Sequence, residues 1–323
     1  MGEPVLLGLD LGGTKISAVA GTPDGRIIRK AVVPTRGEEG PERVVSRIID
    51  LLRLVRESAQ VSAASVAVLG VSHGGPVDPR TGLCSSPNIP GWRDIDLGSL
   101  LGDALSSPVA LDNDANAGAV AEFLYGAGRG LRHICYMTMG TGIGGGIVSD
   151  GRVFRGAFGM AGEIGHVTIV RDGRECSCGR RGCLQAYASG PAIEAIAAER
   201  AAADHDTELL PLVDSVGRIP CEKLCELARQ GNANARAVLQ EAAAAMGTGV
   251  ANLIKVVDPE LVAIGTLAVR AGDLLLDRIN EVAYAEYGGL MPERRPIVAS
   301  ELGDDVGDLA ALALAAAHLE GSA

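Results

Sequence analysis

The 323-residue sequence predicts an α/β protein made of two similar lobes. Short runs rich in Val, Ile and Leu alternate with longer segments whose apolar residues recur at helical spacing, a pattern typical of α/β proteins. A strand, a glycine-rich turn and a second strand also occur twice, with Gly13 and Gly140 at equivalent places. The chain is longer than one ordinary domain, so two lobes are the expected arrangement.

The first copy of this pattern runs from an apolar strand over residues 5–10 through Gly12, Gly13, Thr14 and Lys15 into a β-branched run. Backbone N–H groups in such a turn can bind an anion, and Thr14 and Lys15 add a hydroxyl and a charge. A P-loop or a dinucleotide fingerprint would need a helix next, whereas a strand follows here. A phosphate-binding turn and a plain hairpin turn both fit this stretch.

The second copy begins with a strand over residues 133–138 and continues through Gly140, Thr141 and Gly142 into a strand at 147–148. The glycines spell G-x-G-x-x-G, but a strand and a tight turn follow, which argues against nicotinamide dinucleotide binding. Two copies of one glycine hairpin are more specific than either alone. Together they indicate a nucleotide bound between two lobes.

An Asp-Asn-Asp sequence lies between the two copies, where the short strand Val109–Leu111 runs into an Ala-rich helix. A carboxylate at this junction, Asp112 or Asp114, can cap the helix by accepting hydrogen bonds from its first turn. A carboxylate between two phosphate-binding turns is also what transfer of a phosphoryl group to an alcohol requires.

The remaining elements of the first half follow the same alternation. Residues 41–58 form an amphipathic helix, and residues 66–71 form a buried strand that leads to His73. His73, beside glycines, fits a substrate ligand or a solvated loop residue equally well. Asn88 lies between two prolines on a rigid loop and is the better candidate for binding a polar ligand.

The last third is mostly helical. The pattern predicts a helix over 232–258, interrupted softly at Gly247–Gly249, where close helix packing or a nucleotide base would need bare backbone. Short strands follow at 261–264, ending at Gly265, and at 297–299. An Ala/Leu-rich helix over 307–319 could pack back onto the first lobe.

Three of the seven cysteines, Cys176, Cys178 and Cys183, fall within eight residues rich in Gly and Arg. Three thiolates and one imidazole make a closed ligand set for structural zinc, and His166 is the nearest upstream imidazole. Free thiols in a turn are the weaker alternative. The other four cysteines are expected to be small apolar residues.

Composition excludes several classes of protein. The net charge of −11 argues against nucleic acid as a partner, and no apolar run reaches membrane-spanning length. The first strand starts within five residues of the N-terminus, which leaves no room for a signal peptide. We therefore expect a soluble cytoplasmic protein that binds neither nucleic acid nor membranes.

Taken together, the motifs resemble those of the ROK family of sugar kinases and sugar-responsive repressors, in its kinase form. The matching segments are 10–15, 113–117, 140–146, 163–166 and 176–183. The resemblance implies the actin-like ATPase fold, with two RNase-H-like lobes around a nucleotide and sugar cleft, assembled as a homodimer or homotetramer. The predicted lobes are 1–112 with 301–323, and 113–300.

By this resemblance, the activity is that of an ATP-dependent hexokinase, first of all a glucokinase, with Asp114 as the general base that deprotonates the sugar's 6-hydroxyl. Asp10 would hold Mg²⁺, and zinc would be structural on His166, Cys176, Cys178 and Cys183. ATP would contact Gly12, Gly13, Thr14, Lys15, Gly140, Thr141, Gly142 and Gly265. The sugar would contact Gly75, Asn88, Asn113, Glu163, His166 and Gln185.

Two positions depart from the family pattern. Gln185 stands where a sugar-binding Glu is usual, and Leu267 follows Gly265-Thr266 where glycines are usual. Since Gln lacks the charge, the alternative is a kinase for another sugar: fructose or another hexose, N-acetylmannosamine or N-acetylglucosamine. An alternative from a different class is a non-catalytic sugar-binding regulator. A zinc-knuckle interaction module would explain residues 166–183 alone.

Overall fold

A computed structural model describes residues 4–59, 66–78, 81–86, 89–291 and 293–321. Its strands are β1 (Val5–Leu11), β2 (Lys15–Gly21), β3 (Ile27–Pro34), β4 (Val66–His73), β5 (Val109–Asn113), β6 (Ile134–Met137), β7 (Gly145–Ser149), β8 (Arg152–Val153), β9 (Leu261–Ile264) and β10 (Ile297–Ala299). Its α-helices are α1 (Pro41–Ser58), α2 (Leu97–Leu105), α3 (Asp114–Tyr125), α4 (Gln185–Ala188), α5 (Gly190–Ala203), α6 (Cys221–Gln230), α7 (Ala233–Val257), α8 (Leu267–Ala271), α9 (Asp273–Tyr287) and α10 (Val306–Leu319). The predicted α/β class is confirmed.

The strands form two five-stranded sheets with the same topology. Their orders are β3-β2-β1-β4-β5 and β8-β7-β6-β9-β10. In the first sheet β1 pairs antiparallel with β2 and parallel with β4, and in the second β7–β8 is antiparallel and β9–β10 is parallel. The duplication inferred from two glycine turns therefore extends to whole sheets.

Helix α1 shows how the sequence pattern determines packing. Its buried residues are the five apolar positions of the predicted face, Val44, Ile48, Leu51, Leu52 and Val55. They join the core that also contains the inward-facing residues of β1, β2 and β4. Burying a side chain of this kind contributes about 1.5–3 kcal/mol, so one helical face anchors the element.

The chain divides into two compact units. The first comprises Met1–Tyr136, Gly146–Gly162 and Glu301–Ala323, and the second comprises Met137–Gly145 and Glu163–Ser300. Helix α3 belongs to the first unit, and its Ala117, Val120 and Ala121 pack in one core with α10. The predicted lobe boundaries instead assign α3 to the second lobe, 113–300. They remain a prediction, because compact units need not coincide with bodies that hinge.

The expected interruption of the long helix is wrong, since α7 continues through Gly247–Gly249. A Cβ on Gly247 would lie 2.8 Å from the Ile279 carbonyl oxygen of α9, and one on Gly249 would lie 2.4 Å from Leu184. Close packing is therefore the reason for the bare backbone there. Among the residues that the structure describes, no helix is long and apolar enough to span a membrane.

Candidate active site

In the first unit, the predicted catalytic residue lies at the junction of β5 and α3. Asn113 caps the helix, because its side-chain oxygen accepts a hydrogen bond from the Asn116 N–H over 2.8 Å. The capping role considered for Asp112 or Asp114 is therefore wrong. Asp114 is the first residue of α3 and is exposed. Its carboxylate is thus placed where a substrate can reach it.

Asp112 serves a different purpose, because it is buried within a polar network. Its Oδ1 accepts hydrogen bonds from the Asn113 N–H at 2.8 Å and from Asn116 Nδ2 at 2.9 Å. Its Oδ2 accepts from Arg155 Nε at 2.7 Å. The network fixes the backbone beside Asp114. The role of Arg155 was not predicted from the sequence, because Arg155 lies 43 residues from Asp112 and belongs to no recognisable motif.

Asp10 lies at the end of β1 among other acidic groups. Burial, followed by the nearby Asp308 and Asp114 carboxylates, raises the pKa of Asp10 to about 6. Ser72 Oγ donates to its Oδ1 over 3.3 Å. A Cβ on Gly307, in the first turn of α10, would lie 2.4 Å from its Oδ2. A carboxylate destabilised in this way is one that a cation would favour.

His73 at the end of β4 and Gly75 just after it have roles in packing that were not predicted. His73 is 1% exposed, so the solvated-loop alternative is wrong, and burial lowers the pKa of its imidazole. Its Nδ1 lies 3.3 Å from the Gly75 carbonyl oxygen. A Cβ on Gly75 would lie 2.3 Å from the Ser85 carbonyl oxygen, so close approach of the chain requires glycine there. Asn88 lies outside the described residues.

The first glycine turn is held from one side. Thr35 fixes the backbone of this turn with two hydrogen bonds. Its N–H donates to the Thr14 carbonyl oxygen at 2.9 Å, and its hydroxyl donates to the Gly12 carbonyl oxygen at 2.7 Å. Thr14 and Lys15 are exposed, and Gly12 and Gly13 are half-buried. The hairpin therefore presents a hydroxyl and an ammonium group on a fixed backbone, as a phosphate-binding turn requires.

In the second unit, the other glycine turn is tied to residues far along the chain. The Met139 N–H donates to Thr266 Oγ1 at 2.8 Å, and the Gly190 N–H donates to the Gly140 carbonyl oxygen at 2.8 Å. Thr266 has φ 57, a strained backbone for a β-branched residue. The structure thus brings Gly265 and its neighbour to the loop that carries Gly140, Thr141 and Gly142.

Gln185 also contacts this turn. Its Oε1 accepts a hydrogen bond from the Ile143 N–H at 3.1 Å, and its Nε2 donates to Ser177 Oγ at 3.0 Å. Gln185 was predicted to contact the sugar, and neither of these two contacts was expected. Ile143 is 42 residues away in the sequence and Ser177 is eight residues away, and neither has a pattern that marks it as a partner of Gln185.

The predicted metal ligands come together in the second unit. One ligand atom each from His166, Cys176, Cys178 and Cys183 lies within 4.8 Å of the others. Cys176 Sγ is 3.7 Å from His166 Nδ1, and Cys178 Sγ is 3.7 Å from Cys183 Sγ. Ligands of tetrahedral zinc at normal bond lengths are about 3.6–3.8 Å apart. The donor set and its spacing fit zinc.

The two ring nitrogens of His166 face different groups. Its Nδ1 faces the thiols, while its Nε2 lies 4.0 Å from Glu163 Oε2. Glu163 is exposed and His166 half-buried. One imidazole can therefore serve a metal and a polar ligand at once. The other four cysteines are buried, as expected of apolar residues: Cys84, Cys135, Cys221 and Cys225.

Comparisons with known proteins cover nearly the whole chain. The model of the ROK family matches residues 6–318. A glucokinase of Thermotoga maritima is 35% identical over 313 residues, which are 96% of this chain and 96% of the relative.

Solved structures agree with this similarity. A ROK hexokinase from Thermus thermophilus has a TM-score of 0.83 at 35% identity, covering 98% of this chain and 99% of its own. A ROK family glucokinase from Streptomyces griseus, solved with glucose and AMPPNP, has a TM-score of 0.82 at 35% identity, covering 96% and 99%.

Proposed function

This chain belongs to the ROK family, and on that premise we propose that it is a glucokinase, which transfers the γ-phosphate of ATP to the 6-hydroxyl of glucose. The predicted family and the actin-like ATPase fold are confirmed by these relatives. The observation that carries the proposal is similarity along almost the entire chain to glucokinases, one of them holding glucose and an ATP analogue.

Asp114 is proposed as the general base. Its exposed position at the start of α3 leaves the carboxylate accessible, while Asn113 and the buried Asp112 network hold the backbone around it. An ordinary aspartate is a weak base with a pKa of about 3.9, so positioning must supply much of the rate enhancement. The carboxylate takes the proton of the sugar's 6-hydroxyl as the hydroxyl oxygen attacks the γ-phosphorus of ATP, and the bond from that phosphorus to the β,γ-bridging oxygen breaks to release ADP.

Asp10 is proposed to hold Mg²⁺. The raised pKa of its carboxyl and the two nearby carboxylates make a cation favourable there. When bound, Mg²⁺ neutralises charge on the phosphates. Lys15 and Thr14 in the first glycine turn and Gly140–Gly142 in the second would bind phosphate oxygens, and Gly265 would line the nucleotide site.

For the sugar, the proposed ligands are hydrogen-bonding groups that discriminate hydroxyl positions. Asn113, Glu163 and His166 have the best support, because the helix cap and the imidazole geometry orient them. The close chain approach at Gly75 supports a role in shaping the loop. Asn88 completes this set. Gln185, which was also predicted to contact the sugar, has both ends of its amide hydrogen-bonded within the protein, to the Ile143 N–H and to Ser177 Oγ.

Zinc is proposed on His166, Cys176, Cys178 and Cys183, supported by the mutual distances of the four ligand atoms. It would be structural, and would orient His166 through Nδ1. None of the seven cysteines forms a disulfide, which suits a reducing cytoplasm. We also propose assembly as a homodimer or homotetramer, by analogy with the family.

The test is ATP-dependent phosphorylation by the purified protein with glucose, mannose, fructose, N-acetylmannosamine and N-acetylglucosamine. We expect glucose to be preferred, and Asp114→Asn to abolish turnover while calorimetry still detects glucose binding. Asp273→Asn is a matched control, because Asp273 is likewise the exposed first residue of a helix. Full activity in Asp114→Asn would refute the base assignment.

Two other outcomes would replace the proposal. Preference for another hexose or an N-acetylhexosamine would keep the kinase but change its substrate, and Gln185 would be the first residue to revert to Glu. Sugar binding without any turnover would indicate a regulator instead of an enzyme.

A further inference from the structure

One side chain connects the metal cluster to the second glycine turn. Gln185 begins α4, directly after the buried Cys183 and Leu184. Its amide oxygen accepts from the Ile143 N–H at 3.1 Å, and its amide nitrogen donates to Ser177 Oγ at 3.0 Å. Ser177 lies between two proposed zinc ligands, and Ile143 lies within the glycine turn. The two features are therefore linked by a pair of hydrogen bonds.

The backbone of Gln185 is well anchored for this purpose. The Leu184 N–H donates to the Val167 carbonyl oxygen at 3.0 Å, and the Leu184 side chain packs beneath Gly249, where a Cβ would lie 2.4 Å away. A Cβ on Gly142 would lie 3.0 Å from Gln185 Oε1, so the amide rests directly on the turn. Because the backbone of Gln185 is anchored and its amide lies against the turn, this side chain can fix the position of the turn.

We propose that Gln185 is a positioning residue for the nucleotide: it holds the backbone of residues 139–146 for phosphate binding and couples that turn to the cysteine cluster through Ser177. This inference rests on the proposed function, because it takes the turn to bind ATP. A neutral amide suits the task, since it engages the Ile143 N–H without placing a negative charge beside phosphates.

A sugar ligand and a positioning residue make different predictions for the same substitution. Methionine at 185 keeps the length of the side chain but removes both hydrogen bonds. We expect Gln185→Met to raise KM for ATP by about five- to tenfold, the effect of losing one or two hydrogen bonds, while KM for glucose changes less than twofold. We also expect faster amide hydrogen exchange across residues 139–146.

Two more variants test the link itself. Ser177→Ala removes only the outer hydrogen bond and should shift KM for ATP and loop exchange in the same direction by a smaller factor. Gln185→Glu should retain slow exchange, because a carboxylate accepts both from the Ile143 N–H and from the Ser177 hydroxyl. Gln240→Met is the matched control: its amide donates to the Leu274 carbonyl oxygen at 3.0 Å, elsewhere in the same unit.

The proposal is overturned if Gln185→Met raises KM for glucose alone, or if loop exchange and KM for ATP match those of Gln240→Met. Exchange is measured on the zinc-loaded protein without substrates, so it tests the contact even if the protein phosphorylates no sugar. Absence of turnover in the wild type would count against the proposed function, whereas unchanged exchange in Gln185→Met would count against this inference.

Discussion

Arg155→Met is expected to lower both stability and turnover through the buried carboxylate of Asp112. Arg155 Nε lies 2.7 Å from Asp112 Oδ2, and the Asp112 side chain is 6% exposed while that of Arg155 is 26% exposed. Methionine retains an unbranched apolar side chain but removes the charge and the donor. The carboxylate then stays buried without this ion pair.

The size of the effect follows from the partial burial of the pair. Breaking a fully buried ion pair costs about 3–5 kcal/mol, whereas an exposed pair contributes about 0–1 kcal/mol. Arg155 is partly solvated, and Asp112 Oδ1 keeps its bonds from the Asn113 N–H and Asn116. We therefore expect a loss of about 2 kcal/mol, or a fall in Tm of roughly 3 °C for a chain of this length.

Thermal unfolding followed by circular dichroism measures this loss, with Arg132→Met as the control. Arg132 also pairs with an aspartate, Asp150, at 2.8 Å, but the two side chains are 73% and 67% exposed. Replacing Arg132 should change the free energy of unfolding by less than about 0.5 kcal/mol, so Tm should hardly move. Since the network adjoins Asp114, we also expect kcat of Arg155→Met to fall roughly tenfold.

A double-mutant cycle identifies the cause. If the cost comes from an uncompensated charge, Asp112→Asn should restore part of the stability lost in Arg155→Met, with a coupling energy of about 1–2 kcal/mol. The reasoning would be refuted if the stability losses of Arg155→Met and Asp112→Asn were strictly additive. It would also be refuted if Arg155→Met lost no more stability than Arg132→Met.

Two further predictions concern the proposed zinc site and the packing of helix α3. Metal analysis should find about one zinc ion per chain. Cys178→Ser should lose the zinc together with thermal stability, whereas Cys225→Ser should keep the zinc. A stable wild-type protein without zinc would refute the proposed metal site. Gly146→Ala places a Cβ 2.3 Å from the Ala115 carbonyl oxygen of α3, so we expect denaturant unfolding to show a loss of about 1–3 kcal/mol or more. Gly289→Ala, where a Cβ meets nothing within 4 Å, should be neutral, and equal effects at both sites would contradict this account.

Features with a local cause could be predicted from the sequence. The buried face of α1 follows from helical spacing within one segment. The repeated glycine turns predicted two similar lobes, and the structure contains two five-stranded sheets of the same strand order. The cysteine cluster was predictable because three of its ligands lie within eight residues, so the short turn leaves them little room to separate. The sequence by itself thus determined the elements, the duplicated architecture and the family.

Only the tertiary structure decided which polar groups meet. Asp112 pairs with Arg155 from a segment 43 residues away, and Gln185 binds Ile143 from 42 residues away. His73 is buried although its glycine-rich surroundings suggested a loop. Hydrogen bonds depend on distances of about 3 Å between groups brought together by the packing of whole elements, and no local periodicity encodes that proximity.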